Sequence, residues 1–172
     1  IGSVGSGKCL KLHTKVMMHD GTLRNVENVR TGDLLMGPDS KPRTALSTTR
    51  GTGMLYKVTP EHGEAWWCND AHIHSVIEWS DGLVRDISTT DLVNQGTKKY
   101  AMIRVNPRVF GEDCGADRYN VVEEVEFTIA KDAEGEYAGF ELDGDGRFLL
   151  GDFTVTHNSN VSLMTAQTVF DT

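Results

Sequence analysis

The sequence has few prolines and no long apolar run. Only 4 of its 172 residues are proline, against 18 glycines, and this ratio favours many short strands joined by turns. No apolar stretch approaches the ~18 residues that a membrane-spanning helix needs. No segment has the pattern of a secretory signal peptide. We therefore expect a soluble, intracellular and cytoplasmic protein that has no contact with a membrane.

Cysteine and positive charge are also scarce. The three cysteines, Cys9, Cys68 and Cys114, cannot all pair with one another, and nothing marks a secreted disulfide framework. Acidic residues number 25 against 17 basic ones, which gives a net charge of -8 at pH 7. This balance argues against a general nucleic-acid-binding surface. The length suits one domain with a real hydrophobic core.

Turn signals divide the sequence into short apolar runs. Asp-Gly pairs at 20–21 and 81–82 separate runs of four to eight residues, which predicts an all-β domain. Breaks are expected between strands 43–49 and 54–59, and a turn at 132–135. Ser88 followed by Asp91 predicts a cap for one or two helical turns. Residues 106–120 lack periodicity and are predicted to form a surface loop or a disordered connection.

A phosphate-binding motif is split between two places in the chain. Gly2-x-x-x-x-Gly7-Lys8 has the glycines and the lysine of a P-loop, but Cys9 stands where Ser or Thr is needed to coordinate Mg²⁺. Cysteine is a soft ligand and a poor substitute. If residues 9–158 are removed and Lys8 is joined to Ser159, the motif is restored. Such a segment, beginning with cysteine and ending with His157-Asn158, has the form expected of a protein-splicing element inside a host ATPase.

Residues 9–158 resemble an intein of the small kind that has no homing endonuclease. The matches, in the order expected for the family, are Cys9-Leu10-x-x-x-Thr14-x-Val16 with Asp20-Gly21, Val29-x-x-Gly32-Asp33, Asn69-x-x-His72, Gly139-Phe140-x-Leu142-Asp143-Gly144 and Thr154-Val155-Thr156-His157-Asn158-Ser159. The resemblance implies the all-β Hint fold, a horseshoe of many short strands with pseudo-two-fold symmetry and little helix.

The resemblance also implies how the chain is divided. Residues 1–8 and 159–172 would be flanks of the host, and residues 9–158 the splicing domain. Within that domain, 9–105 and 121–158 would be the two splicing regions, with 106–120 at the usual point of endonuclease insertion. The implied partners are the domain's own flanks, with a monomeric state and no nucleic acid. After splicing, Gly2, Gly7, Lys8 and Ser159 would bind the phosphates of ATP and Mg²⁺ in the host.

The resemblance assigns a role to each site residue in an autocatalytic, single-turnover reaction. The sulfur of Cys9 would attack the carbonyl of Lys8 to give a thioester, while Asn69 contacts the junction backbone and His72 protonates the departing amine. Ser159 would then take the upstream segment as a branched ester, and Asn158 would cyclise to a succinimide with help from His157. No metal or cofactor is implied, and no endonuclease activity.

Three positions depart from the family's usual pattern. Asn69 occupies a position where the family usually has a threonine. Gly139 replaces the usual aspartate, and Gly146 replaces the usual histidine. The last two changes leave open a Hint-type domain that cleaves itself without efficient ligation. Another alternative is a nucleotide-binding module with Gly2 to Cys9 as its P-loop, which Cys9 and the strand pattern after it disfavour.

Two further groups of residues have simpler interpretations. Cys68 is predicted to be a core residue and Cys114 an exposed loop thiol, with a redox link to Cys9 or Cys68 as an alternative. His72 and His74 would share one strand face, but two ligands are too few for a metal site. His74 is therefore predicted to be a structural residue.

Overall fold

A computed structural model describes residues 7–107 and 119–158 of the chain. Within these residues the protein is mostly strand, with one short α-helix, which confirms the predicted all-β class. The elements are β1 (Cys9–Lys11), β2 (Lys15–Met17), β3 (Leu23–Asn25), a 3₁₀ turn (Val26–Asn28), β4 (Leu34–Met36), β5 (Pro42–Pro60), β6 (Trp66–Cys68), β7 (Ile73–Glu78), β8 (Val84–Ser88), α1 (Thr89–Gln95), β9 (Tyr100–Val105), β10 (Val121–Val125), β11 (Phe127–Leu142), β12 (Arg147–Leu149) and β13 (Val155–His157).

Two antiparallel sheets carry most of the structure. One has the strand order β11-β1-β6-β5-β4, and β11 also pairs with β5. The other has the order β10-β9-β7-β13-β12, with β8 added beside β7, and β2 and β3 form a separate hairpin. The first strand, β1, thus lies between two distant parts of the chain, β6 and β11. The last strand, β13, lies between β7 and β12.

The strands β5 and β11 are much longer than the sequence predicted. They pair from Phe127 opposite Pro60 to Leu142 opposite Ala45, so the expected break after residue 49 is wrong. Gly51 lies opposite Tyr137, and a Cβ on Gly51 would approach the Tyr137 ring to 2.7 Å. The glycine therefore leaves room for an aromatic ring rather than making a turn. The predicted turn at 132–135 is a shift in register within β11.

The short-range sequence signals, a helix cap and two Asp-Gly turns, predicted the local structure correctly. The hydroxyl of Ser88 accepts a hydrogen bond from the N–H of Asp91 at the start of α1. Gly21 and Gly82 have φ angles of 91° and 71° in the hairpin turns predicted for them, a conformation that glycine adopts without a steric cost. The predicted strand 121–130 is divided, because β10 ends at Val125 and β11 begins at Phe127.

The main hydrophobic core is formed by buried residues from the strands of both sheets. Leu10, Leu35, Leu142 and Phe148 are fully buried members of it. Tyr119, predicted within the surface loop 106–120, is also buried and donates its hydroxyl proton to Asp145 at 2.7 Å. No helix in the described part of the chain is long and apolar enough to cross a membrane. The predictions for residues 108–118, Cys114 included, and for the terminal flanks 1–6 and 159–172 fall on residues that are not described.

Candidate functional site

The side chain of Cys9 is buried on one face of the first sheet. Cys9 pairs with Gly139 on β11, and the next residue, Leu10, pairs with Cys68 on β6. Successive side chains on a strand point to opposite faces. Cys9 packs with Leu55 and Tyr137, whereas Leu10 and Cys68 belong to the main core. Cys68 is therefore buried as predicted, on the other side of the sheet from the Cys9 sulfur.

Asn69 holds the peptide groups on both sides of Lys8. Its side-chain nitrogen donates to the carbonyl of Gly7 at 2.8 Å, and its side-chain oxygen accepts from the N–H of Cys9 at 3.1 Å. The backbone N–H of Asn69 donates to the carbonyl of Cys9, also at 3.1 Å. These three bonds fix the backbone around the bond between Lys8 and Cys9. The side-chain amide thus contacts the junction, as the resemblance implied for this position.

Gly139 leaves the space that the carbonyl of Lys8 occupies. A Cβ on Gly139 would lie 2.1 Å from the Lys8 carbonyl oxygen and 3.0 Å from both the Lys8 carbonyl carbon and the Cys9 sulfur. Since real Cβ contacts are not as short as 2.1 Å, any side chain at residue 139 would displace the carbonyl of Lys8. The aspartate that the family usually carries here does not fit this arrangement of the backbone.

The Cys9 thiol is not ionised in this environment. Burial raises its pKa to about 12, and the positive charge of Lys8 opposes this only in part. The thiol of an ordinary exposed cysteine has a pKa of about 8.5 and is a few per cent thiolate at neutral pH. Cys9 has a much smaller thiolate fraction than such an exposed cysteine, because its sulfur lies away from water. Attack by this sulfur requires a nearby base.

His72 has one ring nitrogen without a partner. Its Nε2 lies 2.6 Å from the hydroxyl of Thr156, which itself donates to the carbonyl of Ile73 at 3.2 Å. A hydroxyl has one proton to donate, so we assign the His72 proton to Nε2, and this assignment leaves a lone pair on Nδ1. Nδ1 is buried and has no hydrogen-bond partner among the described residues. His72 is thus a buried base with its lone pair available.

His72 is also neutral. Burial, first of all, lowers its pKa well below the usual value, and the charges of His74, His157 and Lys8 act in the same direction. The side chain of Asn158 acts in the opposite direction on this pKa, so it lies close to the imidazole, although no hydrogen bond of normal geometry joins them. His72 therefore lies beside Asn158.

The side chain of Asn158 is buried and has no hydrogen-bond partner among the described residues, at either its nitrogen or its oxygen. Its backbone, by contrast, is fixed. The N–H of Asn158 donates to the carbonyl of Gly146 at 2.7 Å, and its own carbonyl accepts from the N–H of Leu142 at 2.8 Å. An unpartnered buried amide costs free energy, which a functional role for Asn158 would explain.

His157 is buried on β13, where it pairs with Ile73 on one side and Arg147 on the other. Burial lowers its pKa, and the negative charge of Asp86 is the main opposing influence. Asp86 lies 4.0 Å from Nε2 of His157, and it is held by the Ser75 hydroxyl at 2.6 Å and by the Arg147 guanidinium at 2.8 Å. Asp86 thus holds a negative charge near His157, and this charge favours the protonated form of the imidazole.

One strand brings the two distant ends of the segment together. On β11, Gly139 lies opposite Cys9, and Leu142 binds the carbonyl of Asn158. Three residues of extended strand span about 10 Å. The geometry therefore unites Cys9, Asn69, His72, His157 and Asn158, with Lys8 beside them. Ser159 and Gly2 are outside the described residues.

Sequence reasoning missed Tyr137, Asp86 and Glu141, all close to these groups. Each lies in a strand where its alternating neighbours give it no distinguishing pattern, and only strand pairing brings it to the junctions. Within residues 7–107 and 119–158, no group of three or more His, Cys, Asp or Glu side chains could hold a metal ion.

The buried histidines predict a loss of stability in mild acid. Burial lowers the pKa of His74 to about 3. Between pH 6.5 and that value the unfolded chain binds a proton that the folded chain does not, so the free energy of unfolding falls as pH falls. For His74 we expect a loss of about 2 kcal/mol between pH 7 and pH 5, and His72 acts in the same direction. Urea unfolding at the two pH values measures it. His74→Gln should lessen the pH dependence, and an unchanged dependence would contradict this account.

Comparison with known proteins identifies the fold. Residues 9–76 match the family model described as Hom_end-associated Hint. The fold is that of the gp41-1 intein, with a TM-score of 0.64 at 19% identity, over 89% of this chain and all of that one. It is equally that of a DnaB intein from Synechocystis sp. PCC 6803, with a TM-score of 0.64 at 10% identity, over 90% of this chain and all of that one. The chain thus has the fold of these inteins, and residues 9–76 are similar to a Hint family model.

One curated relative belongs to an ATPase. The chain is 40% identical over 50 residues, 29% of its length, to the catalytic subunit of the V-type proton ATPase from Candida tropicalis. The match spans only 5% of that relative.

Proposed function

We propose that residues 9–158 excise themselves from the chain and join Lys8 to Ser159. One observation above all supports this: the Cys9 and Asn158 ends of the segment, far apart in sequence, are bound to the same strand with His72 close by. A nucleophile at the upstream junction and a self-cyclising amide at the downstream one are what excision with ligation needs.

In the upstream step, Nδ1 of His72 accepts the thiol proton as the sulfur of Cys9 attacks the carbonyl carbon of Lys8. The C–N bond between Lys8 and Cys9 then breaks, and the proton passes from His72 to the departing amine of Cys9. The product is a thioester between Lys8 and the Cys9 sulfur. Two observations support this sequence of proton transfers. The Cys9 thiol has a high pKa and needs a base, and His72 is neutral before the attack and so can accept the proton.

Gly139 has a direct test in this step. We expect Gly139→Ala to slow thioester formation by about 100-fold, because the new Cβ would displace the carbonyl of Lys8, and a misplacement of 1 Å costs about that much. Gly139→Asp, which restores the usual residue of the family, should be equally slow. Cleavage induced by added thiol measures the rate. Glu136→Ala is the control on the same strand, since Glu136 is exposed and its side chain lies on the opposite face from Gly139. A normal rate in Gly139→Ala would contradict the assignment.

In the downstream steps, the hydroxyl of Ser159 attacks the thioester and releases the Cys9 thiol, which leaves the upstream flank on Ser159 as an ester. The side-chain nitrogen of Asn158 then attacks its own carbonyl carbon, and the bond to Ser159 breaks. The N–H of Leu142 stabilises the charge that develops on that carbonyl oxygen, and His157 passes the proton lost by the Asn158 nitrogen to the departing amine of Ser159. That amine displaces the ester to give a peptide bond, so Lys8 and Ser159 are joined.

The proposed host is a P-loop ATPase. Splicing would restore Gly2-x-x-x-x-Gly7-Lys8-Ser159, whose lysine and serine would bind the phosphates of ATP and Mg²⁺. The unspliced chain is poorly suited to bind a nucleotide itself, because β1 begins at Cys9 where a P-loop requires a helix. Tight binding of Mg-ATP by the uncut chain would contradict this interpretation.

Mass spectrometry of the expressed chain tests the proposal. We expect a free segment 9–158 that ends in a succinimide or its hydrolysis product, and a ligated peptide in which Lys8 precedes Ser159. An uncut chain after prolonged incubation would contradict the proposal. A second candidate, cleavage without ligation, is favoured by Gly146, which supplies only a backbone carbonyl to Asn158 where the family usually has a histidine. Separate flanks with no ligated peptide would establish that candidate instead.

A further inference from the structure

A cluster of polar side chains surrounds His157 on one face of the sheet that contains β7 and β13. His157 lies opposite Ile73 on one side and opposite Arg147 on the other. Ser75, two residues after Ile73 on β7, pairs with Asp86 on β8. Residues that lie directly opposite one another, or two apart on one strand, point to the same face of a sheet. The imidazole of His157 therefore has the Asp86 carboxylate and the Arg147 guanidinium as neighbours on its own face.

The carboxylate of Asp86 is fixed from two other strands. Its Oδ1 accepts a hydrogen bond from the Ser75 hydroxyl at 2.6 Å, and its Oδ2 accepts one from Nη2 of Arg147 at 2.8 Å. Nε2 of His157 lies 4.0 Å from the same Oδ2. This distance is too long for a hydrogen bond, but it is short enough for attraction once the imidazole is protonated. The side chain of His157 is 8% exposed and that of Asp86 30% exposed, so water screens the attraction only in part.

The guanidinium of Arg147 makes a negative charge at this place important. Arg147 is buried, and its Nη1 donates to the hydroxyl of Tyr119 at 3.1 Å, while that hydroxyl donates to Asp145 at 2.7 Å. A cation fixed in this way directly opposite His157 opposes a second positive charge on the imidazole. Asp86 offsets this repulsion because its carboxylate pairs with the guanidinium.

The other charges around His157 agree with this geometry. Burial is the largest influence that lowers the pKa of His157, and Asp86 is the largest that opposes it. Arg147 and Lys8 lower this pKa further, whereas Asp145 raises it. Without the charge of Asp86, His157 would be a weaker base, and its protonated form would be less stable.

We propose that Asp86 is a positioning residue for the downstream step, because its charge stabilises the imidazolium that forms when His157 takes the proton of the attacking Asn158 nitrogen. The inference rests on the proposed splicing reaction. In that reaction the nitrogen loses one proton as it bonds to its own carbonyl carbon, and His157 gives this proton to the amine of Ser159 as the peptide bond breaks. His157 is therefore neutral before and after the step. Asp86 acts on a charge that is present only during the reaction, and such an interaction lowers the barrier.

The full chain incubated with added thiol reports on both junctions in one experiment. Thiol-induced cleavage after Lys8 measures the upstream step, which does not use His157, and cleavage before Ser159 measures the downstream step. We expect Asp86→Asn to leave the upstream rate within about twofold and to slow downstream cleavage by about 10-fold at neutral pH, which is part of the ~10²–10⁴-fold that general acid–base catalysis contributes. Mass spectrometry of samples taken over time measures both rates.

The pH profile of downstream cleavage separates this role from a structural one. Since the neutral imidazole accepts the proton, cleavage should slow as pH falls through the pKa of His157. Asp86→Asn lowers that pKa, so the slowing should begin at a lower pH. Asp86→Glu keeps the charge and should recover most of the lost rate. Glu124→Gln is the control, because Glu124 is an exposed residue of β10 in the same sheet.

Ser75→Ala is the second variant, for the case in which Asp86→Asn does not fold because Arg147 loses its partner. The substitution removes the hydroxyl that fixes the Asp86 carboxylate but leaves every charge in place. We expect it to slow downstream cleavage by about threefold, as for the loss of one hydrogen bond, with the upstream rate unchanged.

Four results would overturn the inference. The first is a normal downstream rate in Asp86→Asn or, if that variant does not fold, in Ser75→Ala. The second is an equal slowing at both junctions, which would show that Asp86 acts on the fold alone. The third is a slower downstream step with an unshifted pH profile, and the fourth is Asp86→Glu as slow as Asp86→Asn. An absence of cleavage at both junctions with Asp86 intact would instead contradict the proposed splicing function, so the two failures are distinguishable.

Discussion

Replacing Cys9 with alanine is expected to abolish cleavage after Lys8 and all ligation. The sulfur is the nucleophile of the first step, and the other described cysteine, Cys68, points to the opposite face of the sheet. Alanine keeps the strand pairing of Cys9 with Gly139, so the fold should persist with a small packing loss. Gel electrophoresis with and without added thiol, followed by mass spectrometry of the fragments, measures the effect.

Cys9→Ser is the matched comparison for this prediction. The serine hydroxyl has nearly the size of the thiol, but it is a weaker nucleophile than sulfur, and the site that raises the pKa of the Cys9 thiol to about 12 would also disfavour an alkoxide. We expect cleavage that is slow and insensitive to thiol. Cys68→Ala should splice at a rate close to that of the original chain. Ligated product from Cys9→Ala would exclude the thioester route.

Replacing Asn158 with alanine is expected to stop cleavage before Ser159 completely while upstream thioester formation continues. The attacking nitrogen is lost, and no described hydrogen bond is lost with it, because neither side-chain atom of Asn158 has a partner among the described residues. The backbone bonds of Asn158 to Gly146 and Leu142 do not depend on the side chain. The chain should therefore fold, remain uncut at the downstream junction and release its upstream flank only when thiol is added.

Asn94→Ala is a suitable control for the downstream prediction, since Asn94 is an exposed residue of α1. It should cleave at both junctions like the original chain. Mass spectrometry of the downstream fragment decides the outcome, because cyclisation leaves a succinimide or its hydrolysis product at residue 158. Cleavage before Ser159 in Asn158→Ala would show that another group cuts this bond.

Local signals predicted the hairpins and the helix cap but not the long strands. Asp-Gly turns and the Ser88 cap depend on residues adjacent in sequence, so their chemistry can be read directly. The continuous strand β5 could not be predicted in this way, because Gly51 leaves room for the ring of Tyr137, which belongs to another strand. The same limit applied to the thiol of Cys9, whose pKa depends on burial by Leu55 and Tyr137.

The sequence by itself determined the all-β class through its turn chemistry, and residue types at fixed positions were enough to propose the two junctions and the residues that react at them. The tertiary structure alone decided that Gly139 must lack a side chain, that His72 keeps a free lone pair, and that Glu141 and Asp86 lie beside the site. These features arise where strands distant in sequence pair, and burial among those strands sets the pKa values and the available space.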